Sequence, residues 1–269
     1  MIIKNKLALI TGGSSGIGKS IAFELAKKGY DLLIVSNKQN ELESSKKDLE
    51  IEYPITCHTY FADLSLESAA QDVYSYCMEK QFEIEFLVNN AGILIFSELH
   101  ETKDGLANRI LMLHMYTPTI LCRLFSKDMI LRKKGFILNI SSISAVMPFP
   151  CISLYGPTKT FIRAFSKAIR IELSGHNIQV CCVMPGTTES ALYDPQKVNF
   201  DFAKRIGIMT DSTFVAKHAI NATFANKGEV IPGWINKLSV ATVPYIPRFF
   251  IQYLYSGTNL VTRFKKILD

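Results

Sequence analysis

Ser142, Tyr155 and Lys159 are residues whose types and spacing could move a proton at a carbonyl oxygen. Tyr155 and Lys159 are four apart, so on a helix they lie one above the other on the same face. A free phenol, with a pKa of roughly 10, is a poor acid or base at neutral pH. An ammonium a few ångströms away favours the phenolate and draws that pKa toward the working range. A hydroxyl such as that of Ser142 could hold a substrate oxygen beside the phenol. Such a site would handle a proton while something else moves a hydride. Taken alone, Tyr-x-x-x-Lys also describes an ordinary surface pair, so its meaning depends on the elements around it.

The first thirty-five residues read as strand, tight turn, helix, strand. Leu7-Ala8-Leu9-Ile10 is a continuous apolar run, as expected of a strand buried on both faces. It leads into Thr11-Gly12-Gly13-Ser14-Ser15-Gly16-Ile17-Gly18 and then into residues 19–28, where Ile21, Ala22, Leu25 and Ala26 recur with helical period. Gly29 is a stop signal, and Leu32-Leu33-Ile34-Val35 reads as the second parallel strand. Glycines at such a turn let the backbone approach a diphosphate, and the helix N-terminus offers unpaired N–H groups. A glycine-rich turn with no ligand is the alternative.

Several motifs in a fixed order resemble those of the short-chain dehydrogenase/reductase family. Thr11 to Gly18 is similar to its Thr-Gly-x-x-x-Gly-x-Gly turn, which places Gly12, Ser14, Ser15, Gly16, Ile17 and Gly18 around the cofactor. Asp63-Leu64 resembles the acidic step after the third strand that meets the adenine. Asn89-Asn90-Ala91-Gly92 resembles the segment that steadies the sheet and lines the cofactor cleft. Residues 137–142 resemble the strand carrying the catalytic serine, and Ser142 keeps the family's thirteen-residue separation from Tyr155. Pro185-Gly186 resembles the segment that packs on the nicotinamide, with Ser190 where a threonine is common. The resemblance spans residues 5 to 190. It implies an α/β fold, a single-domain Rossmann-type doubly wound parallel sheet with helices on both faces. It implies Tyr155 as the acid/base, Lys159 as the group that lowers its pKa and holds the nicotinamide ribose, and Ser142 as the partner of the substrate oxygen.

One position departs from the family. Aligned on Thr117-Pro118, His114 stands where an asparagine usually completes the catalytic set. The asparagine is thought to hold a water that relays protons to the lysine. A histidine could hold that water, titrate itself near neutral pH, or be a core imidazole with no catalytic part.

Cofactor choice turns on the end of the second strand. Ser36 is neutral, and Asn37 and Lys38 follow. A carboxylate there would favour the ribose hydroxyl of NAD, whereas serine and lysine suit a 2′-phosphate, so NADP(H) is expected over NAD(H). Pro157 is tolerated only in a first turn, so the helix carrying Tyr155 and Lys159 is expected to begin near residue 154. Its outer face is unusually apolar for a monomer, and this helix is the customary dimer contact of the family, so the resemblance implies a homodimer or homotetramer.

The chain has 269 residues, 48% of them hydrophobic and 20% charged, which fits one α/β unit with a substantial core. A net charge of +6 does not suggest nucleic-acid binding. The six cysteines contain no Cys-x-x-Cys pair, which points to buried thiols in a cytoplasmic protein. No leader or transmembrane span is expected, and the five histidines have no metal-ligand spacing. The catalytic unit is read as 1–233, followed by an aromatic, amphipathic extension over 234–269. That extension could pack on the same unit, meet a neighbouring subunit, close the substrate pocket or touch a membrane surface, and packing is the simplest. An aromatic cover would suit a hydrophobic substrate. The function expected is interconversion of a carbonyl (ketone or aldehyde) and an alcohol; a catalytically silent nucleotide sensor or scaffold is the alternative.

Overall fold

Each buried apolar run is followed by a helix that carries the chain back to the same end of the sheet, as parallel strands require. The computed structural model describes residues 6–146, 149–188 and 209–257. In chain order it contains β1 (Leu7–Thr11), α1 (Gly16–Ala26), β2 (Asp31–Ser36), α2 (Gln39–Glu52), β3 (Cys57–Phe61), α3 (Ala69–Glu79) and β4 (Ile84–Asn89). Then come α4 (Leu106–Leu111), a π turn at Met112–Tyr116, α5 (Thr117–Arg132), β5 (Gly135–Ile140), α6 (Tyr155–Ser174) and β6 (Ile178–Val183). A short pair, β7 (Thr187–Thr188) with β8 (Met209–Thr210), precedes α7 (Ser212–Phe224), β9 (Glu229–Val230), α8 (Trp234–Thr242) and α9 (Arg248–Gly257).

The main sheet has seven strands in the order β3-β2-β1-β4-β5-β6-β9, all parallel. The order reverses between β1 and β4, and the carboxyl ends of those strands open the crevice where ligands of such sheets bind. Alternation along β1 feeds two cores. Ala8 and Ile10 face α1, α2 and α7, while Leu7 and Leu9 face α3, α5 and α6. Cys181 and Cys182 likewise go to opposite sides of the sheet, and all six cysteines are free and buried.

One expectation is corrected. Helix α1 begins at Gly16, not at residue 19, so Gly18 lies inside its first turn. The reason is packing: a Cβ at Gly18 would meet Gly12 O at 2.1 Å. Among the described residues, the aromatic extension read over 234–269 holds two helices, α8 and α9, with a 3-10 turn at Val243–Tyr245 between them. Pro244 and Pro247 have no amide hydrogen to continue a helix through that turn.

Candidate active site

Helix α6 starts at Tyr155 with Pro157 in its first turn, where the missing N–H costs nothing. Tyr155 and Lys159 therefore occupy its first two turns. The helix is braced to β9 by Arg163, whose Nε and Nη2 donate to the Glu229 carboxylate at 2.6 and 2.9 Å. At the end of β5, Ser141 Oγ donates to Lys159 O at 2.7 Å and its N–H donates to Val183 O at 2.8 Å. Ser141 thus ties the strand to α6 and β6, which leaves Ser142 to face the cleft with Tyr155 and Lys159. Ser142 Oγ accepts from the Ser144 N–H at 3.2 Å.

Lys159 is buried, and its Nζ donates to Ile140 O at 3.1 Å. The ammonium lies 5.5 Å from the centre of the Tyr155 ring. Burial lowers its pKa to about 8. A cation held behind a phenol in this way can stabilise the phenolate and tune a proton transfer.

The glycine-rich turn is pinned to the end of β4. Thr11 Oγ1 accepts the N–H groups of Asn90 and Ala91 at 2.9 and 3.1 Å, and Asn90 Nδ2 donates to the carbonyls of Thr11 and Gly12, both at 3.1 Å. Ser15 is the N-cap of α1 and makes no side-chain capping bond, so the N-terminal amides of α1 face the cleft uncapped. Gly12, Ser14, Ser15, Gly16, Ile17, Asn90, Ala91, Gly92, Pro185 and Gly186 all line one cavity of about 810 Å³ together with the Ser142–Tyr155–Lys159 group. A bare backbone turn, an open helix N-terminus and nearby hydroxyls fit a dinucleotide diphosphate. Gly18 stands behind this wall, and Ser190 lies outside the described residues.

Asp63 and Leu64 also line the cavity. Partial burial pushes the Asp63 carboxyl up, but hydrogen bonds from the Ser65 N–H and hydroxyl, and the Arg109 guanidinium at 3.2 Å, leave it below the usual range. Leu64 is buried, and its carbonyl accepts from Thr117 Oγ1 at 2.7 Å.

Ser36, Asn37 and Lys38 sit at the far end of the cleft, where the structure adds a residue that the motif reading missed. Glu41, in the first turn of α2, accepts from Lys38 Nζ at 2.7 Å and from Ser14 Oγ at 3.3 Å, while Ser14 Oγ also reaches Ser36 Oγ at 2.9 Å. A carboxylate thus stands among the groups expected to receive a 2′-phosphate. Its only sequence signal was a glutamate three residues after Lys38, a common salt-bridge spacing.

His114 sits on the π turn, a widening often found at functional sites. Its Nε2 accepts from the Ile93 N–H at 3.0 Å, which places the proton on Nδ1, 3.0 Å from Thr158 Oγ1. Thr158 Oγ1 in turn donates to Tyr155 O at 2.8 Å. Gly92 makes room for this ring, since a Cβ there would come within 2.9 Å of Nε2. Burial, with the Lys159 charge, holds the imidazole pKa well below its usual value. Both ring nitrogens are committed to the protein. Beside the ring is a void of about 10 Å³ lined by Asn89, His114 and Lys159, among others. The Asn89 Oδ1 atom is buried with no hydrogen-bond partner among the described residues.

Residues 6–199 match the family model described as short chain dehydrogenase. The chain belongs to the short-chain dehydrogenase family. It is 30% identical to the rat very-long-chain 3-oxoacyl-CoA reductase over 245 residues, 85% of this chain and 76% of the relative. It is 34% identical to the zebrafish 17-beta-hydroxysteroid dehydrogenase type 3 over 200 residues, 71% of this chain and 64% of that one. Among solved structures, it superposes on the bulky-bulky ketone specific alcohol dehydrogenase of Comamonas testosteroni with a TM-score of 0.75 and 26% identity, covering 88% of this chain and 91% of that one. The NADPH complex of a short-chain dehydrogenase from Sphingobium yanoikuyae shares the fold, with a TM-score of 0.77, 23% identity, and 92% and 95% coverage. This short-chain dehydrogenase is an NAD(P)-dependent oxidoreductase acting on a carbonyl or its alcohol.

Proposed function

We propose that the protein is an NADP(H)-dependent reductase of an apolar carbonyl compound, with Tyr155 as its acid. The observation that carries this reading is the buried Lys159 ammonium 5.5 Å from the Tyr155 ring, in one cleft with Ser142. A nicotinamide bound in that cleft supplies the hydride. Ser142 Oγ holds the substrate oxygen, Tyr155 gives it a proton in reduction or takes one in oxidation, and Lys159 sets the phenol's acidity. Pro185 and Gly186 form the wall against which the nicotinamide would pack.

The apolar preference is supported by the substrate end of the cavity, where Ile93, Leu94, Phe96, Phe149 and Ile152 line the wall. The rat relative is named as a reductase of very-long-chain acyl substrates and the Comamonas enzyme as specific for bulky ketones. Titration with NADPH and NADH, followed by a carbonyl panel graded by chain length, tests the proposal. Tight NADPH binding with kcat/KM rising along the apolar series is the expected result. Turnover of only small polar ketones would sink the substrate class, and binding without turnover would favour a silent nucleotide sensor.

NADP(H) is proposed over NAD(H) because Ser14, Ser36 and Lys38 can receive a 2′-phosphate once Lys38 leaves Glu41. Glu41 supports the competing reading, since its carboxylate could accept a ribose hydroxyl instead. In our reading Glu41 opposes the phosphate, and Glu41→Gln tightens NADPH binding by about fivefold, as removal of one partly exposed charge would. If the substitution instead weakens NADH and leaves NADPH unchanged, Glu41 is a ribose acceptor and the enzyme prefers NAD(H).

We assign His114 a positioning role, holding Ile93 and the first turn of α6. The place for a relay water is the void between Lys159 and Asn89 Oδ1, which is about the size one water needs. Because its ring stays neutral through the working range, His114→Asn is expected to leave the shape of the pH–rate profile unchanged between about pH 6 and 9. A displaced acid limb would show that His114 titrates during turnover.

Assembly as a homodimer or homotetramer through α6 is proposed from the exposed Ile171 and the half-buried Phe161, which stacks at 5.8 Å on Phe165 at the edge of the core.

A further inference from the structure

Helix α8 buries one of its nine residues, and that residue is polar. Asn236 is 6% exposed, while Trp234 and Leu238 face outward. A buried amide costs stability unless its polar atoms are used. Its Nδ2 donates to Pro232 O at 2.7 Å, four residues back, which fixes the turn that leads into α8. Four residues on, Val240 packs on Ala145, Cys182 and Met184, so Asn236 and Val240 share the face of α8 that meets the body of the protein.

That face stands against the Pro185–Gly186 wall. A Cβ on Gly186 would lie 2.2 Å from Asn236 Oδ1 and 2.6 Å from both Cγ and Nδ2. Gly186 does not have a positive φ, so its backbone conformation would accept a side chain; the Asn236 amide is what demands glycine. Pro185 and Gly186 line the cavity and Asn236 does not, so the amide backs the wall instead of touching what binds in front of it. The wall is also tied by the Ile143 N–H to Pro185 O and by Thr188 Oγ1 to Gly186 O, both at 3.0 Å. Ile143 directly follows Ser142, so the same wall is linked to the hydroxyl that holds the substrate oxygen.

We propose that Asn236 is a positioning residue for hydride transfer: it sets how far the Pro185–Gly186 wall presses the nicotinamide toward the substrate carbon. The inference rests on the proposed seat of the nicotinamide against that wall. Small displacements matter here, because a reacting group misplaced by about 1 Å can cost about a hundredfold in rate. Asn236 lies outside the segment 6–199 that matches the family model, so α8 contributes to the site from beyond it.

Asn236→Leu keeps the side chain's size and removes its donor and acceptor. The expected result is NADPH bound about fivefold more weakly, with 2′-phospho-ADP-ribose, which lacks the nicotinamide, bound as by the parent. If the parent prefers NAD(H), NADH and ADP-ribose are the matching pair. A residue needed only for folding would weaken both nucleotides or neither, and either result overturns the proposal. In turnover, kcat should fall about tenfold and the primary isotope effect with C4-deuterated cofactor should rise, as hydride transfer becomes slower than product release. An unchanged rate and isotope effect overturn it as well. Gly186→Ala, made with and without Asn236→Ala, is the second measurement. The new methyl meets the Asn236 amide, so cofactor binding should weaken about tenfold in the first case and less than about twofold in the second. Effects that simply multiply overturn the proposal. The nucleotide titrations contain no carbonyl compound, so their outcome is distinguishable from failure of the proposed reaction.

Discussion

Tyr155→Phe should lower kcat by roughly a hundredfold to ten-thousandfold, the range of a lost general acid, while NADPH binds with little change. Only the hydroxyl is removed. The remaining ring keeps its edge contact with His114, at 5.6 Å between centres, and its place 5.5 Å from the Lys159 ammonium. The first turn of α6 is held independently, by Thr158 between His114 and the Tyr155 carbonyl. Fold and cofactor site therefore persist while the proton donor is gone. Nucleotide binding followed by fluorescence, alongside single-turnover reduction, separates the two effects. Retention of more than a few per cent of parental kcat would show that another group supplies the proton.

Lys159→Met should cost at least about a hundredfold in turnover without lowering thermal stability at neutral pH. The physical reason is linkage. An unfolded lysine binds its proton up to about pH 10.4, but burial brings the folded value down to about 8. Between those values the unfolded chain binds more protons than the native one, so stability rises with pH across that window. At neutral pH the charged lysine is thus a destabilising group, only partly offset by its hydrogen bond to Ile140 O. Methionine keeps the stem's volume and removes the buried charge, so Tm at pH 7 should hold or rise and the stability slope above pH 8 should flatten. The same titration predicts that carbonyl reduction by the parent falls as pH climbs through about 8, where the ammonium beside Tyr155 is lost. Calorimetry across pH and a kcat/KM profile are the measurements. A large fall in Tm with a pH profile like the parent's would make Lys159 a structural residue.

Such a distribution of stability and activity is common where a charge is kept buried for chemistry. Among the described residues, Lys159 is surrounded by groups that tolerate its charge rather than neutralise it: the Ile140 carbonyl, the Tyr155 ring face and a void lined by Asn89, whose Oδ1 has no partner there.

Local spacing in the sequence determined the features that repeat every two, 3.6 or four residues. Continuous runs such as Leu32 to Val35 are strands because both sheet faces are covered. Tyr155 and Lys159 share a helix face because four residues are about one turn, and Pro157 could only sit in the first turn, so the start of α6 was readable within a residue. Tertiary structure decided what no local spacing encodes. Glu41 reaches Ser14 across 27 residues to stand at the expected phosphate site. The His114 tautomer is set by an N–H 21 residues away and a hydroxyl 44 away. Helix α1 starts three residues early because Gly18 must lie against Gly12. The aromatic residues of 234–255 read equally well as core or surface, because hydrophobic pattern marks a face without saying what lies against it. Only the folded chain, in which Asn236 and Tyr255 fix α8 and α9 to the cleft's rim, shows which of those side chains are left facing outward. Such contacts depend on the sum of many weak long-range packing terms, and that sum exists only once the chain has closed.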